Sequence, residues 1–214
     1  MLAPVIQLRP VIRQTRGQTP LALADILDNG VNLALWQRQL PLHIAEFGAL
    51  LVSLNEPLAE SLVVELDSEE AEPNLLGLAA GCRDLEGYDG FIADVAWLVS
   101  AFACLLGAKR IGVRLRLLDK AMCPRFHVDH VPVRLITTYA GIGSQWLREG
   151  VMDRRQLSQA DAQPSEHIEQ IHCGEVALLK GEKWRGNEGY GLIHRSPALA
   201  ANERRLILTL DWLA

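Results

Sequence analysis

Four side chains in the second half of the chain are of types that do chemistry together: His127, Asp129, His194 and Arg205. His127 and Asp129 stand two apart in FHVDHVPVRLITTYAG, whose β-branched and aromatic residues predict a strand. Residues two apart on a strand project from one face, so an imidazole and a carboxylate enter the same space. His194, in the strand candidate GYGLIHRSP, supplies a second imidazole. Two imidazoles and one carboxylate hold a divalent ion from one side and leave the opposite positions open.

That open-sided donor set suits non-haem Fe(II), and zinc accepts the same ligands. Arg205 adds a second requirement. It stands eleven residues beyond His194 and begins the alternating run RLILTLDW. If that run lies beside the strand carrying His194, its guanidinium faces the metal pocket, where a fork of fixed donors suits the far carboxylate of 2-oxoglutarate. Arg204 is nearly as well placed by spacing but falls on the opposite face of the strand, so Arg205 is preferred. Ser196 could also reach the cosubstrate, although a turn before Pro197 accounts for it equally well.

Other chemistries fit less well. His172-Cys173 and Cys123 suggest a softer zinc site, but cysteine is commonly buried as a small hydrophobe. Cys123 and His127, four residues apart in an extended chain, lie about 13 Å apart, too far for a thiol–imidazole pair. Gly141-Ile142-Gly143 lacks the third glycine and the helix of a dinucleotide fingerprint, and neither a GxSxG elbow nor a P-loop is present. Trp184, Tyr190 and Lys183, in the glycine-rich segment before His194, are candidates for a loop at the pocket mouth or for simple edge packing.

The elements that must position these residues divide the chain in two. Up to about residue 108 the pattern is mainly helical. Thr19-Pro20 opens a short helix through Leu27, LHIAEFGALLVSL and PLAESLVVEL follow with helical spacing, and a long helix begins near Tyr88. VNLALWQRQ alternates and reads as a strand. The apolar run from Phe91 to Ala108 contains Asp94 and is read as a core helix, so no membrane association is expected. After Gly107 the period changes to two: RIGVRLRLL, then HIEQIHCGEVALLKG, GYGLIHRSP and RRLILTLDWL are strand candidates, with a polar insertion from Gln145 to Gln163. The expected class is α+β, with residues 1–108 a helical layer packed on a jelly-roll or barrel formed by 109–214, together one compact unit.

Composition agrees with a folded protein. Of 214 residues, 49% are hydrophobic and 22% charged, which excludes disordered and fibrous classes. The formal net charge of -5 lacks the field of a nonspecific nucleic-acid binder, so no nucleic-acid partner is expected. Four dispersed cysteines without a CxxC pair read as reduced thiols in a cytoplasmic protein.

The series His127-x-Asp129, His194 and a basic residue opening the last strand resembles the Fe(II)/2-oxoglutarate-dependent dioxygenase superfamily. HVDHVPVRLITTYAG is similar to its prolyl-hydroxylase branch, with Arg134, Thr137 and Tyr139 at matching positions, and CGEVALLKG, with Glu175, resembles the strand before the distal histidine. The phrases CPRFHVDHVPVR, GEVALLKG and HRSP further resemble domain of unknown function family 1826 over most of the chain. The resemblance implies a double-stranded β-helix, iron on His127, Asp129 and His194, and 2-oxoglutarate held by Arg205 with Arg204, Ser196, Arg134 and Tyr139 as further candidates. It implies a hydroxylase acting on a small molecule or peptide, with no catalytic group beyond the metal ligands. A cupin-like protein that binds metal, zinc included, without turnover is the alternative.

Overall fold

A computed structural model describes residues 11–68, 71–159 and 163–213. In chain order the elements are β1 (Arg13–Gly17), a 3-10 helix (Pro20–Leu27), β2 (Val31–Trp36), α1 (Leu42–Leu54), β3 (Ala59–Glu65) and α2 (Tyr88–Leu106). There follow β4 (Arg110–Leu118), β5 (Val133–Ala140), β6 (Gln145–Leu147), β7 (Ile168–Gln170), β8 (Val176–Lys180), β9 (His194–Arg195) and β10 (Arg205–Leu213).

Seven strands form one large sheet in the order β1-β2-β8-β5-β10-β4-β3, antiparallel except for the β1–β2 pair. A small sheet, β7-β6-β9, faces part of it and is extended past β9 by a bridge between His127 and His194. Alternation along the strands sends side chains to two cores. On one face of the large sheet, Val113, Leu115, Leu135, Leu178, Leu206, Leu208 and Leu210 pack with Phe47, Phe91, Val95 and Phe102 of the helices. On the other, Leu33, Leu35, Ile136, Ala177, Leu179 and Ile207 meet Trp146, Ile171 and Leu192 to fill the space between the sheets. A third cluster, Phe126, Leu147, Met152 and Ile193, backs the small sheet from outside.

The mixed α+β class and the antiparallel sheet layout agree with expectation, and β4 and β10 span the anticipated runs. The first half departs from a mainly helical layer, since β1 and β3 join the expected strand β2. It supplies strands to both edges of the large sheet: β2 pairs with β8, and β3 pairs with β4. PLAESLVVEL is therefore a strand over Ala59–Glu65, not a helix. Its adjacent β-branched residues Val63 and Val64 suit a pleated surface, and the open edge of β4 gives its backbone a partner.

By length and composition α2 could cross a membrane, with mean hydropathy 1.7 in its most apolar window. In the fold one face, Phe91, Val95, Leu98, Val99 and Phe102, is buried against the sheet. Asp94 in its middle is satisfied: Arg38 donates to both carboxylate oxygens at 2.6 and 2.9 Å, and the Tyr139 hydroxyl donates at 2.6 Å.

Lys180, the last residue of β8, is buried. Its Nζ donates to the Asp28 carbonyl at 2.8 Å and lies 4.7 Å from the Trp184 ring centroid. Burial pushes its pKa down to about 8, a shift that the Asp28 charge opposes but does not cancel. A lowered folded-state pKa for a lysine means that the protonated form is the one penalised by folding. Stability therefore rises as pH climbs through about 8 toward the ordinary lysine value. Urea midpoints at pH 7.5 and 9 are expected to show that rise, and Lys180→Met to remove it.

Candidate metal centre

His127 and His194 form a closed antiparallel pair, each backbone N–H donating to the other's carbonyl at 3.0 Å. Directly opposed residues project to the same side, and the two imidazole centroids are 4.6 Å apart. His127 sits in an isolated bridge, and the chain from Val128 to Pro132 is not strand. Asp129 still turns back toward both rings: its Oδ1 is 3.6 Å from His127 Nε2 and its Oδ2 is 3.5 Å from His194 Nε2. The three donor atoms lie within 4.8 Å of one another, and no other such cluster occurs among the described residues. An ion about 2.1 Å from each ligand needs adjacent donors about 3 Å apart, so the three side chains must draw together to seat one.

Each imidazole is oriented from behind. His127 Nδ1 lies 3.0 Å from the Arg125 carbonyl and His194 Nδ1 3.0 Å from that of Leu192. A carbonyl only accepts, so both Nδ1 atoms carry a proton, which leaves Nε2 of each ring, the atom turned toward Asp129, as the one that would ligate an ion. Burial pushes the His194 pKa down to about 4, against the attraction of Asp129, which keeps this ring neutral at pH 7. The hydrogen bond with Asp129 raises that of His127 despite partial burial. Burial by itself would raise the Asp129 carboxyl, but the His127 bond, His194 and Arg134 outweigh it and hold the group well below its ordinary value. The side chain of His127 is 33% exposed and that of His194 only 6%, so the site opens on the His127 side.

Arg134 belongs to this site as an orienting group rather than a cosubstrate ligand. Its Nη1 donates to Asp129 Oδ2 at 2.7 Å, and its Nε and Nη2 grip both oxygens of buried Asp211 at 2.6 and 3.2 Å. Arg114 adds a 2.9 Å contact to Asp211 from β4. Lysine at position 134 keeps the charge but loses the fork. Arg134→Lys is expected to weaken metal binding by roughly 10- to 100-fold, the usual cost of losing an outer partner of a ligand. A competitive chelator titration measures it.

Arg205 opens β10 on the inter-sheet face and is fully buried. One nitrogen, Nη2, donates to Ser144 Oγ at 3.0 Å and Thr138 Oγ1 at 3.4 Å, while Nε and Nη1 have no partner. Among the described residues no carboxylate pairs with it, and burial pushes its pKa down to about 10. The turn beside it depends on two glycines. Gly141 adopts φ +82, and a Cβ there would run into the Arg204 carbonyl; one at Gly143 would run into that of Ile171. The pair is thus a close-approach turn that brings Ser144 to Arg205.

The remaining candidates make other contacts. Arg204, one residue out of phase, lines a surface recess with Glu56, Leu117 and Asp119. Tyr139 occupies the helix-packed face of β5, its hydroxyl on Asp94 and its ring edge-on to Phe91, so strand alternation removes it from the pocket. Ser196 is half-buried and tied through its backbone N–H to the Cys123 carbonyl. Glu175 accepts from the His172 backbone N–H at 2.7 Å, a turn-closing role. Trp184 packs on Lys180, and Tyr190 lies under Arg154. The insertion after β6 packs behind the histidines: Met152 joins Phe126 and Ile193, and Gln163 Oε1 accepts from the Phe126 N–H at 2.7 Å. Asp211, Ser144 and Thr138 had no sequence signal, since each acts through a neighbour set by cross-strand register.

Solved structures share this fold at low sequence identity. A bsmA homologue from Methylobium petroleophilum superposes with TM-score 0.51 and 12% identity, over 95% of each chain. A candidate oxygenase from Shewanella oneidensis gives 0.50 and 8%, over 94% of this chain and 89% of that one. A prolyl-4-hydroxylase from Pseudomonas putida gives 0.47 and 15%, over 90% and 96%. A search of curated proteins returned no match. The profile of the protein family of unknown function DUF1826 matches residues 17–211, a span that includes His127, Asp129, His194 and Arg205, and the chain belongs to the DUF1826 family.

Proposed function

We propose that the chain is an Fe(II)- and 2-oxoglutarate-dependent oxygenase of the hydroxylase type, acting on a small molecule or peptide. The observation that carries this reading is Arg205: a fully buried guanidinium with two unpaired donors and no carboxylate partner among the described residues. Such an arrangement is costly unless an anion completes it. The fold shared with a candidate oxygenase, at TM-score 0.50, adds support. We take residues 1–108 and 109–214 as one unit, because β2 and β3 extend the sheet that carries the pocket.

In this reading His127, Asp129 and His194 hold the ion on one side, and Arg205 receives the far carboxylate of 2-oxoglutarate. Bound iron would supply the coupling of O2 to cosubstrate and substrate, one oxygen atom entering succinate as CO2 leaves and the other entering a C–H bond. The chain's own part is to keep both Nε2 atoms aimed inward, to hold Asp129 ionised, and to lock its second oxygen on Arg134. Ile136, Ile207 and Leu192 exclude water from the inter-sheet space. Zinc would occupy the same triad in a binding protein without turnover, but that reading leaves the donors of Arg205 without purpose.

The test is an anaerobic titration of metal-free protein with Fe(II) and 2-oxoglutarate, following the visible charge-transfer band of the chelate. The band is expected in the native protein and absent in His127→Ala and Arg205→Ala. Its absence from the native protein, with one zinc surviving dialysis, overturns the oxygenase reading in favour of the metal-binding one.

A further inference from the structure

The segment entering β6 presents two residues to the inter-sheet space. Ser144 continues the β6–β7 ladder, its carbonyl accepting from the Ile171 N–H at 2.8 Å, so Ser144 and Trp146 share a face. Ser144 holds Arg205. Trp146 is the register partner of His194, the distal metal-ligand candidate, and opposed residues share a side. One short segment therefore runs from the buried guanidinium to the metal cluster.

Trp146 is among the largest fully buried side chains, and its Nε1–H has no acceptor. Arg16 lies over the ring at 5.3 Å, which engages the π face and leaves the N–H free. Aliphatic neighbours such as Leu33, Ile136 and Ile171 offer it no polar group. Leaving such a donor buried and unpaired carries a desolvation cost that phenylalanine in the same place would avoid. Arg205 Nε and Nη1 are unpaired on the same inter-sheet side.

From these unpaired donors we infer that Trp146 is a cosubstrate-positioning residue, its Nε1–H donating a hydrogen bond to a carboxylate oxygen of bound 2-oxoglutarate. The inference rests on the reading of the pocket proposed above. With Arg205 on the large sheet and Trp146 on the small one, the cosubstrate is held from both walls, and this second donor selects for an acceptor along the chain between metal and guanidinium.

The experiment compares native protein with Trp146→Phe, which keeps an aromatic ring and removes the donor. Metal affinity is expected to be unchanged, while 2-oxoglutarate binding to the Fe(II) form weakens roughly tenfold or more, as for loss of a hydrogen bond to a charged group. On the diamagnetic zinc form of the native protein, the indole N–H cross-peak missing from the variant identifies Trp146. That peak is expected to shift downfield when 2-oxoglutarate is added. Unchanged affinity in the variant and a stationary peak, with binding still lost in Arg205→Ala, overturn the role of Trp146 and leave the oxygenase reading standing. Failure of the native protein to bind 2-oxoglutarate removes both.

Discussion

Arg205→Met is expected to make the ligand-free protein more stable and to abolish its binding of 2-oxoglutarate. The guanidinium is fully buried, two of its nitrogens have no partner, and burial pushes its pKa down to about 10. Replacing an uncompensated buried charge by an apolar side chain of similar length is often stabilising by about 1–4 kcal/mol. Ser144 and Thr138 lose their hydrogen-bond partner in the exchange, which returns part of that gain. A net gain of about 1–2 kcal/mol raises Tm by roughly 2–8 °C in a chain of this size. Binding moves the other way, since a charge-assisted fork on a carboxylate is the strongest contact the pocket offers. Calorimetry of the metal-free protein and titration of the Fe(II) form measure the two effects. A variant that melts lower, or that still binds 2-oxoglutarate, would mean that the arginine is structural.

His194→Ala is expected to remove stoichiometric metal. The ring is buried, neutral at pH 7 because its pKa lies at about 4, and fixed by the Leu192 carbonyl with Nε2 toward Asp129. No proton has to be displaced from it before an ion binds. The loss should exceed the roughly 100-fold upper range for outer partners such as Arg134. The backbone pair between residues 127 and 194 does not depend on the side chain, so the small sheet persists. Metal content after dialysis and a direct titration decide the matter, and undiminished affinity would place the ion elsewhere. The two substitutions separate metal from cosubstrate: Arg205→Met keeps the ion, and His194→Ala loses it.

How much of this was legible before folding follows from the range over which each interaction acts. Residue type and short separation singled out His127, Asp129 and His194 as candidate ligands, but the strand geometry expected to join the first two is absent: Val128–Pro132 is not strand, and Asp129 reaches both rings by a turn of the chain. Local period was enough for β4, whose bounds match RIGVRLRLL, and for β10, which begins one residue into RRLILTLDWL. It failed for β3, where apolar residues at helical spacing met a sheet edge, and pairing with β4 decided the outcome. Arg204 and Tyr139 show that alternation decides which face a strand residue takes, and both fall away from the pocket.

Cross-strand neighbours were beyond reach of the sequence. Asp211 meets Arg134 across 77 positions, Ser144 meets Arg205 across 61, and Trp146 meets His194 through the register of β6 and β9. The candidate ligands are marked by side-chain type and short spacing, which the sequence alone carries. The orientation of those ligands, the burial that neutralises His194 and the unpaired donors of Arg205 depend on which distant strands lie side by side. Only the tertiary structure decides that, because backbone pairing and burial are settled by the whole sheet at once.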